Sequence, residues 1–527
     1  MGNQVTRAGH HHTSNKKTDP PAGTDQHDAN NSASKGPSTP ETENPHMQFL
    51  PIDSLAKVNN RDCLSNFYRL SNVTALAFLL STIIPRMIKL DLSLFQTLVH
   101  LSQEEERVNG ITRAVFQRYL FPNYSDLAER LCDYLYRSAD TPSAHLSANV
   151  FKQQAEKFLS VMNDQTVLEN YVKMFSNGDG NVTPETLRAL FRSSYKLTMD
   201  SSGSPTCLFA DQIIEAAVSS CFHGKYTLSV SYVSNWMWQH CPRIVHGLHR
   251  YVVHVLTTAY RNGKALMSKE PPQPHLEIPT PILEQPIMEF PKVLLPVSYV
   301  WLLASTLPEC YLQTEDSPKD ITHALIAKRM GHIVPRHWTL LYNSSEHGTG
   351  ANRFLHHVLG YRGPTLLFIR AVSPEKGAVS PTYCICSAVE WRESHLYWGD
   401  EDSLGIELFP SYRVIEKGAK VLYLNTNIRG YPHGLRFGSN PRSPCISIDE
   451  AFHSVSISGA PYPIASLEVW GCGDTKLRER QLEIKKWQVK EAEKQRIVKL
   501  SASDWLDHPD RYLLELAGRA SYNESNK

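Results

Sequence analysis

No apolar run of this 527-residue chain reaches the roughly 20 residues that a helix needs to cross a bilayer. The longest, Val73–Ile84 and Val293–Leu307, are interrupted by Thr, Ser or Pro and read as buried core elements. The apolar stretch of a secretory signal is missing as well, because Arg7, three histidines and a polar tract follow the start, so no entry into the secretory pathway is expected. Cysteines close enough in sequence to pair are scarce. The ten are scattered singly, and the nearest two, Cys384 and Cys386, share one strand-like run where a bridge is hard to form; a reducing compartment fits that usage. Charge of one sign is lacking too: 54 Lys and Arg against 53 Asp and Glu leave +1, so no global field draws the chain to nucleic acid or anionic membrane. The sequence also has no phosphate-binding P-loop, dinucleotide fingerprint, His-Glu-x-x-His helix, Cys-x-x-Cys pair or Gly-x-Ser-x-Gly elbow, which removes the commonest nucleotide, zinc and hydrolase chemistries.

What is present is 41% apolar and 9% aromatic content, ample for several cores. Residues 1–47 hold almost no large apolar side chains and are expected to be a disordered arm. Over 48–267 apolar residues recur at three and four spacing, as in Leu92, Phe95, Leu98 and Val99, then Phe151, Ala155, Phe158 and Leu159, which predicts a helical domain. A stiff Pro-rich linker, 268–292, follows. From 293 to 475 the texture turns to strand-like runs such as Thr365–Ile369 and Val421–Leu424 divided by Gly, Pro, Asn and Asp, the rhythm of a β-sandwich with flanking helices. Residues 476–527 read as a charged helix and tail: nine basic and four acidic residues between Lys476 and Lys499 give a local charge near +5. The fold class expected is therefore α+β and multidomain.

Two motifs stand ahead of the strands. Met1-Gly2-Asn3-Gln4-Val5-Thr6 fits N-myristoylation at Gly2; one acyl chain anchors only marginally, so a second attachment is required, and a protein partner suits it better than the few diluted basic residues of the arm. His10, His11 and His12 in the same arm have no surrounding shell to orient a metal. Phe175–Thr186 resembles an EF-hand loop, with Gly180 at the sharp turn and Val182 at the apolar eighth position. Aligned on that glycine, Phe175 replaces the first Asp and Thr186 the bidentate Glu, so Asn177, Asp179, Asn181, Thr183 and a shifted Glu185 form at most a weak calcium site. No other cofactor is expected.

The carboxy-terminal motifs carry a definite resemblance. His337-Trp338-Thr339-Leu340-Leu341-Tyr342-Asn343-Ser344-Ser345-Glu346-His347-Gly348, Arg362-Gly363-Pro364, Val389-Glu390-Trp391, Gly434-Leu435-Arg436-Phe437-Gly438 and Leu467-Glu468-Val469-Trp470-Gly471 follow one another in the order of a TLDc domain. With a myristoylation signal, an EF-hand-like helical domain and a helical tail, the chain resembles the lysosomal, mTOR-associated branch of that family. It departs at Cys384–Ser387 and at Ser439, where the family usually has glycine. The resemblance implies a non-enzymatic adaptor at the cytosolic face of the lysosomal or plasma membrane, with no established catalytic residue. It also implies engagement of the vacuolar-type proton pump and of mTOR pathway components, and roles in nutrient signalling and oxidative-stress resistance. The helix around Trp487 is the natural counterpart of the family's pump-contacting helix. Ile484, Lys485, Lys486, Trp487 and Lys490 are the expected partner-binding residues, since an exposed Trp in a basic field suits an acidic groove.

Two other functions are open to the residues. A hydrolase would have to draw on Ser344, Ser345, Glu346 and His347, whose adjacency is poor support because neighbours on a strand or turn point apart; Glu346 is expected instead to accept hydrogen bonds within the turn, with Gly348 at positive φ. A redox scavenger would act through Cys384, Cys386 or Cys472, and the strand-like setting of the first two predicts that at least one is buried and inert.

Overall fold

Short polar side chains start the amino-terminal helices where the sequence supplies them. The carboxylate of Asp91 accepts from the backbone N–H of Ser93 at 2.9 Å, Asn163 from that of Thr166 at 3.0 Å, and Ser229 from that of Tyr232 at 3.3 Å, each satisfying a donor that the first helical turn leaves free. The computed structural model describes residues 90–139, 145–161, 163–178, 180–202, 210–258, 295–312, 335, 338–373 and 380–496, with fragments at 512–513 and 516–517. Gly2, the Pro-rich stretch and Asp179 lie outside these residues. The helices of the first half are α1 (Leu92–Glu106), α2 (Arg113–Leu120), α3 (Ser125–Arg137), α4 (Ala148–Leu159), α5 (Asp164–Phe175), α6 (Pro184–Ser202), α7 (Ala210–Phe222), α8 (Val230–His240), α9 (His246–Thr258) and α10 (Val297–Thr306).

These helices form helix–loop–helix units that meet in pairs. The loop between α5 and α6 carries β1 (Asn181–Val182), which pairs antiparallel with β2 (Leu228–Ser229) in the loop between α7 and α8, setting Val182 opposite Leu228. An isolated bridge between Ile111 and Leu146 joins the α1–α2 and α3–α4 loops in the same way. Only the first of the four loops has a recognisable motif in the sequence.

The second half is an antiparallel β structure built on one long bent strand, β12 (Ala460–Gly471). Its last residues, from Glu468, lie between β3 (Thr339–Asn343) and β4 (Thr365–Ala371), and the layer continues through β5 (Thr382–Ser387) and β6 (Leu404–Phe409) to the edge strand β7 (Arg413–Lys417). Its first residues, Ala460–Pro463, pair instead with β11 (Ser454–Ile457), which leads through β10 (Ile446–Ile448) and β9 (Gly434–Phe437) to β8 (Leu422–Asn425). Between the two layers Leu367, Ile369, Ile385, Leu424, Phe437 and Val469 form a core with Trp391 and Trp398.

The uninterrupted apolar run of β4 follows from burial of both its faces. Leu367 and Ile369 point into the sandwich, whereas Leu366 and Phe368 join the core of the helical half together with Cys384, Cys386, Leu404, Ile406, Trp470 and Cys472. Directional bonds fix the contact. The Val414 N–H on edge strand β7 donates to His240 Nδ1 at 3.0 Å, and the Tyr412 N–H donates to the Ala216 carbonyl at 3.3 Å. The Thr306 and Tyr412 hydroxyls share a hydrogen bond, and Trp338 Nε1 donates to the Tyr311 carbonyl at 2.9 Å. Burial and the neighbouring Arg413 hold the His240 pKa down to about 4, so the ring is neutral and free to accept at β7. A helical domain and a β-sandwich, α+β in class, thus share one hydrophobic interface.

Candidate functional site: the seat of the last helix

The sandwich ends in α13 (Thr475–Arg496), preceded in this half by a single turn, α11 (Ser344–His347), and by α12 (Ala351–Val358). Asp474 starts α13 by accepting from the Leu477 N–H at 3.0 Å. Leu477 then enters a recess whose walls are glycines. A Cβ at Gly473 would stand 2.2 Å from Leu477 Cδ1, one at Gly363 2.9 Å from the same atom, and one at Gly471 2.6 Å from the Tyr361 ring. Tyr361 closes the recess, its hydroxyl accepting from the Gly473 N–H at 2.8 Å. Gly363 and Gly471, which the sequence offers only as motif positions, are there because no side chain fits.

One turn further on, Gln481 is fully buried. Its Nε2 group donates to the carbonyls of His357 at 3.0 Å, Val358 at 3.3 Å and Leu359 at 2.9 Å, while its Oε1 accepts from Arg478. These are carbonyls at the carboxy-terminal end of α12, which has no continuing helix to satisfy them. A single carboxamide therefore closes α12 and clamps α13 to it. Beyond this clamp α13 leaves the body. Ile484 and Lys485 are half-buried, Lys486 and Lys490 are exposed, and Trp487 and Val489 are 63% and 54% exposed. Of the five partner-binding candidates, three thus lie on the outward half and two lean toward the seat. At about 100° per residue Trp487 stands well round the helix from Val489, so the exposed apolar groups form no single stripe.

The remaining motif residues build the domain. Trp391 is buried and donates to Thr365 Oγ1 at 2.6 Å; Trp338 ties β3 to Tyr311. Glu468, 1% exposed, accepts from Trp470 Nε1 at 3.1 Å and acts electrostatically on Arg370. Gly348, Gly434 and Gly438 take φ of 82°, 100° and 135°, and at Gly438 a Cβ would stand 2.9 Å from the Cys445 nitrogen. Glu346 corrects the expectation placed on it: it is exposed and makes no hydrogen bond among the described residues. Asn343 takes that role, its Oδ1 accepting from both the N–H and the hydroxyl of Ser345 at 2.9 and 2.7 Å. The reason is geometric, since Asn343 lies on β3 beside the turn while Glu346 points off a one-turn helix.

The serine–histidine arrangement a hydrolase would need is not formed by these residues. Ser344 Oγ accepts from the Leu467 N–H at 2.9 Å, Ser345 is held by Asn343, and His347 Nδ1 accepts from the Asn343 N–H at 3.0 Å. Cys384, Cys386 and Cys472 are all fully buried, with the first two sulfurs 3.7 Å apart, and burial pushes the thiols of Cys384 and Cys472 well up. A thiol held protonated and out of water is a poor nucleophile. Thiol titration at neutral pH is therefore expected to leave these three unlabelled until denaturant is added; rapid labelling of any of them in the native chain would revive the redox reading.

In the loop of Phe175–Thr186, Phe175 is buried under the Arg130 guanidinium, 4.7 Å from the ring centre, and cannot face an ion. The Asn181 carbonyl accepts from the Asn177 N–H at 3.0 Å, Thr186 Oγ1 accepts from the Thr183 N–H at 2.9 Å, and Glu185 is exposed near Arg188. Among the described residues no group of three or more His, Cys, Asp or Glu is placed to hold a metal.

An antiparallel sandwich on one bent strand, packed on paired helix–loop–helix units and ending in a clamped helix, is the architecture these contacts define. The family model described as TLDc domain matches residues 315–473, and the chain carries a TLDc domain there. A curated relative, Restriction of telomere capping protein 5 of Pyricularia oryzae, is 25% identical over 304 residues; the match covers 42% of this chain and 47% of that protein. The chain thus spans about half the length of the curated relative it matches.

Proposed function

We propose that this protein is a non-enzymatic adaptor that presents the outward half of α13 to a protein partner, tethered to the cytosolic face of a membrane through an acyl chain at Gly2. The carrying observation is the contrast along α13: a root fixed by Leu477 in its glycine recess and by the buried Gln481, then a basic half where Trp487 is 63% exposed. Orienting a large aromatic group at fixed angle removes part of the ordering cost of binding, and Trp and Lys side chains in that position suit an acidic groove. The partner proposed from the TLDc resemblance is the vacuolar-type proton pump at the lysosomal membrane, with mTOR-linked nutrient or stress signalling as the output. The curated relative is named for restriction of telomere capping, and that activity is not carried over.

Affinity purification with and without residues 476–527, read by mass spectrometry, tests the reading. Removing the segment is expected to abolish recovery of pump subunits while the sandwich still melts cooperatively. Undiminished recovery would remove α13 from the account.

A further inference from the structure

Beside the glycine recess the α13 seat gathers basic side chains. His347 on α11 and His357 on α12 stack with ring centres 3.8 Å apart, Tyr342 on β3 lies 5.9 and 6.0 Å from the two, and His356 abuts His357 at 5.1 Å. Because Gln481 bonds the His357 carbonyl, Arg478 and Lys485, three residues before it and four after on the same helical face, are brought near that histidine. Both act on His357 electrostatically, as do His347 and His356.

Among the described residues no carboxylate is paired with His357, Arg478 or Lys485. Lys485 is half-buried and makes no hydrogen bond or ion pair among the described residues, and the charged group acting on it is another cation, Arg478. Arg478 donates to the neutral Gln481, and the group that acts on it electrostatically is the Tyr361 hydroxyl. The mutual repulsion shows in the ionisation: burial, then the surrounding cations, lower His357 to about 4 and Lys485 to about 8. Half-buried cations are ordinarily paired, and here none of the described residues supplies the pairing anion.

We propose that His347, His356, His357, Arg478 and Lys485 form an anion site that takes a phosphate group. Arg478 and, below its pKa of about 8, Lys485 supply two positive charges that match a phosphate dianion, the imidazoles supply N–H donors, and His357 adds charge as it protonates. A bound phosphate cancels the repulsion between α12 and α13, so occupancy tightens the seat from which α13 projects. The phosphate comes either from a soluble phosphomonoester or from a phospholipid headgroup. The site is independent of the partner reading for the outward half of α13.

Protons bind with the ligand, and this sets the sign of the pH dependence. With His357 near 4 in the free protein and restored toward about 6.5 beside a phosphate, its protonation raises the affinity for a given ionisation state of the ligand about tenfold as pH falls from roughly 8 to 5.5. Calorimetry on the full chain tests this, with inorganic phosphate, a soluble inositol-phosphate headgroup, and phosphatidylcholine vesicles with and without a phosphoinositide. Corrected for the phosphate's own second ionisation at about 6, binding is expected to be tighter at the lower pH, to lose about tenfold or more in Lys485→Gln, to recover in Lys485→Arg and to be unchanged in Lys494→Gln, with melting curves confirming that each variant folds. Lys485-dependent recruitment to phosphoinositide vesicles but weak binding of the soluble headgroup assigns the lipid source; the reverse assigns the soluble one. Absence of Lys485-dependent phosphate binding at either pH overturns the proposal. So does Lys485-dependent binding of a polyglutamate peptide without phosphate binding, which would make the cluster a contact for an acidic protein.

Discussion

Gln481→Leu is expected to release the root of α13. The substitution keeps the side chain's bulk but removes the donor shared by the His357, Val358 and Leu359 carbonyls. Gln481 is fully buried, so water cannot readily replace it, and a stranded acceptor costs about 1–3 kcal/mol. Leucine also leaves Arg478 without its amide partner. The Leu477 recess is retained, so the sandwich keeps its melting behaviour and the loss is local. Hydrogen exchange over 475–485 is expected to accelerate by roughly ten- to hundredfold, which corresponds to that free energy at about 1.4 kcal/mol per decade. Unchanged exchange there would mean that Leu477 alone holds the helix.

Gly434→Val should damage the fold itself more than any other single change considered. At Gly434, φ is 100°, and a Cβ would lie 2.1 Å from the Ile448 carbonyl oxygen. That oxygen belongs to β10, whose pairing with β9 sets Ile448 opposite Leu435. The obstacle is therefore backbone on both sides, which cannot rotate away as a side chain can, and a branched residue at that φ adds strain of its own. A loss of about 4 kcal/mol or more is expected, with a fall in melting temperature of roughly 10 °C. Gly430→Ala supplies the contrast: φ there is 83° but nothing lies within 4 Å of the added carbon, so only the conformational cost of about 1 kcal/mol applies. Equal losses in the two variants would show that conformational preference, not the close approach, governs Gly434.

The parts of this architecture legible in the sequence are those whose cause is local. Thr365–Ile369 reads as a strand because its side chains are apolar, and Gly348 as a turn because it is glycine. The basic composition of 476–499 reads as a solvated helix, which α13 is beyond Lys485. Long-range causes left no such trace. Gln481 in a run of charged residues looks like one more solvated position, and only the approach of α12 makes it the most buried residue of its helix. Gly473, next to the motif glycine Gly471, gains its meaning from Leu477, four residues on. The pairing of Val182 with Leu228 and of Ile111 with Leu146 joins loops far apart in sequence, three of which lack calcium-ligand spacing. Glu346 drew attention because a carboxylate in a motif suggests a bond, yet Asn343 was nearer to the donors.

The motif residues of the TLDc domain thus divide by cause. Trp391, Gly434, Glu468 and Trp470 secure the sandwich, whereas Gly363 and Gly471 shape the recess from which α13 departs. That division places the proposed function on a segment outside the family match, which ends at 473, while making the domain responsible for aiming it. The most direct measurement is quantitative affinity purification of the intact chain against a Trp487→Ala, Lys486→Ala, Lys490→Ala variant, in which every seat residue is untouched. Recovery of pump subunits is expected to fall about tenfold or more with the melting temperature unchanged; equal recovery from the two would contradict partner binding through the outward half of α13.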